Sequence, residues 1–259
     1  MEDIVPSLLE KIEKDFKAKV EADNEMSRLF AKFYDGDGTL HDVSLYARRL
    51  GDLLSMTLQE NLTEDVLPDG KMYYNIADRI LNPMMRQNFN LTMEQATIIQ
   101  KMIDANNGIG LEPVSADFPE SRVKQIIDSL TEEDVEFDVI KARMGEPVAN
   151  CSHSFADDFV KANALYRSKA GMRTYLKRTL VGGACPYCVG LAGTYDYDYN
   201  GDIPDDVYKR HDSCRCTVTF ISEKGNYKEN VHTKIQSVLN PKELQSVILE
   251  DLERKKELV

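Results

Sequence analysis

The chain lacks a long apolar run, an excess of positive charge and a cysteine framework, and each absence removes a class of protein. No stretch of the 259 residues approaches the roughly 18–20 consecutive apolar positions of a membrane-spanning helix, so no membrane partner is expected. The opening MEDIVPSLLEKIEKDF is charged from its second residue and has no signal-peptide core, which predicts a protein made and kept in a reducing cytosol. A net charge of −12 argues against a surface that coats nucleic acid generally. Five cysteines are few and odd in number; clustered cysteines in a reducing compartment mark metal or catalysis more often than disulfides. No Ser-His-Asp set, Gly-rich phosphate loop or paired acid–base candidate stands out, so no enzyme is expected.

What is present is an ordinary globular composition, with 42% hydrophobic and 29% charged residues, and wholesale disorder is not expected. The first half reads as helices. Val5, Leu8, Leu9, Ile12, Phe16 and Val20 recur at three- and four-residue steps behind Pro6, and YDGDGTL breaks that helix. A second helix is predicted from about Asp42, through Val43, Tyr46, Leu50, Leu53, Leu54 and Leu58. LPDG, from Leu67 to Gly70, reads as a turn, and Asn82-Pro83 as the cap of a short helix. Thr92-x-x-Gln95 reads as a capping box opening another helix that the glycines of NNGIG close. Ser121 to Leu130 is a further amphipathic piece, and these stripes are expected to form a bundle core.

Character changes after Gly145-Glu146-Pro147. A helix is predicted from about Ser154 to Ala170, closed by Gly171. Two strands, RTYLKRTLV and CTVTFI, then flank a cysteine- and glycine-rich loop. In the tail, Asn240-Pro241 followed by Leu244, Val247, Ile248 and Leu252 predicts a closing helix or an arm that docks on a partner. The expected organisation is an α+β protein: a helical region over 1–150, a small metal-stabilised α+β domain with a short antiparallel sheet over 151–225, and a helical tail over 226–259.

The loop carries the chemistry. Cys185-Pro186-Tyr187-Cys188 resembles a redox dithiol, but such a motif needs a helix N-terminus to activate its thiol, and Val-Gly-Leu-Ala-Gly is a poor helix. Further on stand His211, Cys214 and Cys216. A tight Cys-x-x-Cys plus a distant His-x-x-Cys or Cys-x-Cys supplies the tetrahedral sulfur and nitrogen set that zinc prefers. Five candidates compete for four places, and Cys₄ and Cys₃His sets both stay open. Cys151, His41, His153 and His232 have no such company and read as structural. A deaminase-type catalytic zinc would need an upstream His-x-Glu, which the chain does not contain. A full protein ligand set also leaves no position for a reacting water, so the zinc is read as structural.

Two weaker features flank the cysteines. Asp196 to Val207 begins like a calcium loop, but its twelfth position is Val207 instead of a bidentate glutamate. From Phe159 to Leu180 there are six cations and no acid. Lys169, Arg173, Lys177 and Arg178 are the candidates there for nucleic-acid contact; the favoured reading is a solvated face paired with the acidic remainder.

The run DDFVKANALYRSKAGMRTYLKRTLVGGACPYCVGLAGTYDYD, with PDDVYKRHDSCRCTVTFI after it, resembles the phage Mu F-like head morphogenesis proteins, or minor capsid proteins. The likeness is closest to the version carried by phages and prophages of low-GC Gram-positive bacteria. That family pairs a Cys-x-x-Cys with a later His-x-x-Cys-Arg-Cys and ends in a short strand. The match spans Asp157 to Ile221 and departs from much of the family at Asp212, where proline is common. The resemblance implies a virion component near the portal, assembled in the bacterial host cytoplasm. Portal and major capsid proteins would be its partners, with phage DNA as a further candidate. Two rival readings are a nuclease using His211 with Lys209 and Arg210, and an intracellular zinc-stabilised adaptor.

Overall fold

The computed structural model describes residues 3–132, 135–198, 205–211 and 213–223. The tail 226–259, with its expected helix and His232, lies outside the described residues, as do 199–204 of the expected calcium loop and Asp212.

Helices α1 (Val5–Ala22), α2 (Asn24–Tyr34), α3 (Leu40–Asn61) and α4 (Tyr74–Asn106) are followed by α5 (Glu120–Leu130), α6 (Phe137–Arg143) and α7 (Glu146–Lys169). Strand β1 (Arg173–Thr179), the short α8 (Pro186–Gly190), β2 (Gly193–Tyr197) and β3 (Thr217–Glu223) follow, with 3-10 turns at Pro68–Gly70 and Asp205–Tyr208. The three strands form one antiparallel sheet in the order β2-β1-β3. The α+β class expected from the sequence is therefore what the chain adopts.

Helices α3 and α7 form the centre. Gly51 makes their approach possible: a Cβ there would lie 2.7 Å from the Ser152 Cβ and 2.8 Å from the Ala149 backbone. Polar groups hold the same seam. Arg48 reaches Glu146 at 2.8 and 3.0 Å, Asn150 at 2.9 Å and Asp52 at 2.7 Å. His153, fully buried, meets the Ser44 hydroxyl at 2.9 Å through Nε2.

Several helix boundaries differ from the expectation. The first predicted helix is two, because the Asp23 side chain accepts the Met26 N–H and starts α2. Asn82-Pro83 and Thr92 open no new helices; both lie inside α4, which runs 33 residues. Pro83 removes one N–H from the ladder, but Ile80, Leu81, Met84 and Met85 around it are buried, so packing holds the helix together. Thr92, itself buried, turns its hydroxyl back to the Asn88 carbonyl at 2.8 Å instead of capping. Helix α7 starts at Glu146, earlier than expected, and runs through residue 150; it ends before Gly171, whose φ of 84° suits glycine.

One hydrophobic core extends from Val5 in α1 to Leu176, Val218 and Phe220 in the sheet. The sheet lies against α7 and α3, with Thr174, Leu176 and Arg178 of β1 on its buried face. His41, at the start of α3, bonds the Thr217 hydroxyl at 2.8 Å through Nδ1 and ties that helix to β3.

The start of α3 yields a measurable consequence. The Thr39 hydroxyl accepts the Asp42 N–H, while the Asp42 carboxylate accepts the Thr39 N–H and hydroxyl. Lys32 reaches the same carboxylate at 2.7 Å. Burial alone would raise the Asp42 carboxyl, but Lys32 and Thr39 outweigh it and hold it below the usual carboxylate range. A carboxyl with a depressed folded-state value contributes fully above its unfolded value, near about 3.9, and loses that contribution as the pH falls through the folded value. Asp42→Ala is expected to cost about 1–2 kcal/mol in urea denaturation near neutrality. The gap from the parent chain should close below about pH 4; a gap unchanged by acid would refute the carboxylate's role.

Candidate metal centre

The antiparallel register brings both cysteine groups to one end of the sheet. Strand β1 ends at Thr179, opposite the first residue of β3, Thr217, and Gly193 at the start of β2 pairs with Arg178. The Cys-x-x-Cys loop therefore sits at the tip of the β1–β2 hairpin, and His211, Cys214 and Cys216 arrive just before β3.

Locally, each group is shaped by its backbone. Cys185 precedes α8, with Pro186 at the first helical position, and its carbonyl accepts the Val189 N–H at 3.0 Å. The N–H groups of Cys188 and Tyr187 point at the Cys185 sulfur; the Cys188 N–H is the stronger influence holding this thiol below its ordinary value. In the second group Ser213 adopts φ 60°, and the Cys214 N–H closes the turn on the His211 carbonyl at 3.1 Å. Burial works to raise the Cys214 thiol, but the Cys216 N–H, the Arg210 charge and Arg178 together bring it below the ordinary range. Cys188 shows the opposite balance: burial pushes its thiol up to about 12 despite Arg178.

The structure brings all five predicted ligands together. Cys185, Cys188 and His211 form one set whose ligand atoms lie within 4.8 Å of one another, and Cys188, Cys214 and Cys216 form a second. Cys188 belongs to both. Its sulfur lies 3.0 Å from His211 Nε2 and 3.7 Å from the Cys214 sulfur, and the Cys185 sulfur is 3.2 Å from the same Nε2. Two sulfurs about 2.3 Å from a tetrahedral ion stand roughly 3.8 Å apart, so the sulfur spacing suits a shared metal. These residues could hold a metal ion.

Surrounding residues fix the cluster in place. Arg210 makes two 2.7 Å bonds to Asp157 of α7, with both side chains buried, and a third to the Cys216 carbonyl. The Asn150 amide lies 3.5 Å from the His211 carbonyl, and the Tyr187 ring meets the imidazole edge-on at 6.2 Å. Arg178 completes the ring of contacts. One of its nitrogens lies 3.6 Å from the Cys188 sulfur and 3.7 Å from that of Cys214, and another bonds the Val207 carbonyl. A guanidinium there offsets the negative charge that several thiolates around one dication would leave.

This position corrects the reading of Arg178 as a nucleic-acid contact. At 2% exposure it cannot reach a phosphate, because it shares a strand face with Thr174 and Leu176. The period of two in Thr174, Leu176 and Arg178 was the signal that could have shown this. Arg167 leaves the basic island as well, buried against Asp104. Lys169, Arg173 and Lys177 remain exposed. Residues Asp157 and Arg210, which tie the loop to α7, carried no sequence signal as a pair, being far apart in the chain.

The loop expected to begin a calcium site has its first residue, Asp196, paired with Tyr175 inside β2, and Val207 packs in the core. Cys151 is buried and free of any disulfide.

Fold and site together define an α+β protein with a Cys/His cluster able to hold a metal ion. Comparison with protein-family models, with curated proteins and with solved structures finds no match to the chain.

Proposed function

We propose that the chain is a minor head protein of a phage, acting structurally near the portal, and that its Cys/His cluster holds one zinc ion. The observation that carries this reading is the convergence of Cys185-x-x-Cys188 and His211-x-x-Cys214-Arg-Cys216 on one cluster. Those are the motifs that the resemblance to the Mu F-like head proteins rests on. Zinc is the metal best matched to sulfur and nitrogen ligands at tetrahedral spacing.

A structural role is favoured over turnover by the surroundings of the cluster. Cys188, Cys214 and Cys216 are buried, and neither of two cavities, of about 780 and 410 Å³, is lined by any of the five residues. Four protein ligands would leave no coordination position for a reacting water. When bound, the metal supplies a cross-link between the β1–β2 hairpin and the start of β3. The residues around it keep that cross-link rigid: Arg178 neutralises thiolate charge, and Arg210 with Asp157 ties it to α7. Portal and major capsid proteins are the partners under this reading. Phage DNA is a further candidate partner only, with exposed Lys169, Arg173 and Lys177 as the residues left to touch it. The place of action is the virion, after assembly in the bacterial host cytoplasm.

The test is copurification with assembled heads from the bacterial host. The chain should travel with DNA-filled particles at a fixed, low number of copies per head. Its removal should reduce intact heads in proportion, and a chain absent from purified heads would end the proposal.

A further inference from the structure

We infer that the groove beside β3 binds a small amphipathic organic anion, its acidic group on Lys177 and its apolar body against Ile103, Ile109 and Phe220. The inference stands apart from the virion reading and from the Cys/His cluster.

The groove holds about 780 Å³. That is within the roughly 300–1,000 Å³ of small-molecule sites. It is bounded by the start of α3, the end of α4 and strands β1 and β3. Strand alternation gives it two kinds of wall. Leu176 and Phe220 pair across β1 and β3 on the buried face, so Lys177 and Thr219, one step along, stand on the other. These two make a polar lip, while Leu40, Ile103, Ile109 and Phe220 supply the apolar surface. An apolar wall with a few polar groups at one end is the build of a site for an amphipathic ligand.

The charges select the sign of that ligand and the end its head occupies. The charged side chains lining the groove are Asp104, Arg167, Lys177 and Glu223. Asp104 and Arg167 are buried and neutralise each other. Glu223 lies at the far end of β3, opposite Arg173 of β1. Lys177, opposite Thr219, is exposed and makes no ion pair among the described residues. Of the exposed cations in the basic run it is the one that lines the groove.

His41 stands at the same end as Lys177. Its Nδ1 is taken by the Thr217 hydroxyl at 2.8 Å, which leaves Nε2 for a ligand. The Thr179 and Thr219 hydroxyls line this end too. One end thus offers an ammonium and hydroxyl donors, and the other a carboxylate, so an anionic head is drawn to the first and repelled from the second. From Thr219 to Glu223 the lining strand rises about 13 Å, room for a short extended hydrocarbon chain. The floor holds one more unmet group: the Nε of Arg167 is buried without a hydrogen-bond partner. A buried donor left unpaired is costly, and an oxygen of a bound molecule would satisfy it.

The experiment titrates octanoate into the full chain, with octan-1-ol as its neutral counterpart, and follows amide shifts by NMR. Octanoate should bind saturably and move amides of residues 39–41, 103–109 and 219–223. Octan-1-ol should bind at least about tenfold more weakly, because the charge-assisted bond to the ammonium is lost. Lys177→Gln, a change at an exposed side chain with no partner to strand, should weaken octanoate at least about tenfold and leave octan-1-ol unchanged. Raising the salt should narrow the gap between acid and alcohol in the parent chain. Equal binding of acid and alcohol, or octanoate affinity unmoved by Lys177→Gln, would overturn the inference. So would shifts that do not saturate or that fall outside the groove.

Discussion

Cys188→Ser should remove the metal and loosen the sheet end more than any other single change at the cluster. Cys188 alone belongs to both groups of three, so its loss takes a donor from each. The protein should carry close to one zinc per chain by elemental analysis, and Cys188→Ser or Cys185→Ser/Cys188→Ser should carry none. Structural zinc is worth on the order of 10 kcal/mol to a small module, far more than the few buried side chains of a three-stranded sheet could replace. The helices should survive, because the contact of α3 with α7 does not pass through the cluster. Far-UV helical signal should stay near the parent value, while amides of β1, β2 and β3 lose protection. Cys185→Ser, His211→Ala and Cys216→Ser, compared one by one, then identify the four ligands. A metal-free chain with an unchanged sheet would remove the central claim. So would a His211→Ala chain that keeps metal, fold and particle incorporation yet loses turnover of RNA or DNA, the outcome a nuclease requires.

The second large effect lies away from the Cys/His cluster. Arg167 in α7 is fully buried and grips Asp104 of α4 with both terminal nitrogens, one at 2.8 Å, while Gln100 adds a 2.9 Å bond to the same carboxylate. The guanidinium also lies 5.2 Å from the Phe220 ring centre, so one side chain joins α4, α7 and β3. Arg167→Met strands a buried carboxylate and is expected to cost about 3–5 kcal/mol in urea denaturation. Replacing both partners, as Arg167→Met/Asp104→Leu, should recover most of that loss, since a well-packed apolar pair is often as stable as a buried ion pair. Burial already holds the Asp104 carboxyl above its usual range, with Arg167 pulling the other way. Without Arg167 the shift should grow. A carboxyl raised in the folded state binds its proton more tightly there than when unfolded, so stability falls as pH rises between the two values. The deficit of Arg167→Met should therefore be widest near neutrality and narrow in acid. A loss below about 1 kcal/mol at neutral pH would mean that the pair is dispensable.

The order of residues alone determined much of this protein. Apolar recurrence in Val5, Leu8, Ile12 and Phe16, and in Ser121 to Leu130, specified helices because a period of 3.6 makes one buried stripe whatever it packs against. RTYLKRT and TVTFI gave strands, and the spacing of four cysteines and a histidine announced a cluster that could hold a metal, since coordination chemistry demands few residue types at short intervals. Tertiary structure decided the rest. Pro83 and Thr92 carry local signals for a new helix, and only the burial of their neighbours on several sides keeps α4 continuous. Arg178 reads as one more cation in a basic run; what makes it a thiol partner is the pairing of β1 with both β2 and β3, which carries its inner face to the cysteines. Asp157 and Arg210 find each other only because α7 passes beneath the loop. Periodicity is written within a few residues of itself, whereas the partner of a buried charge is set by contacts distant in the chain, and those exist only once the helices and the sheet have met.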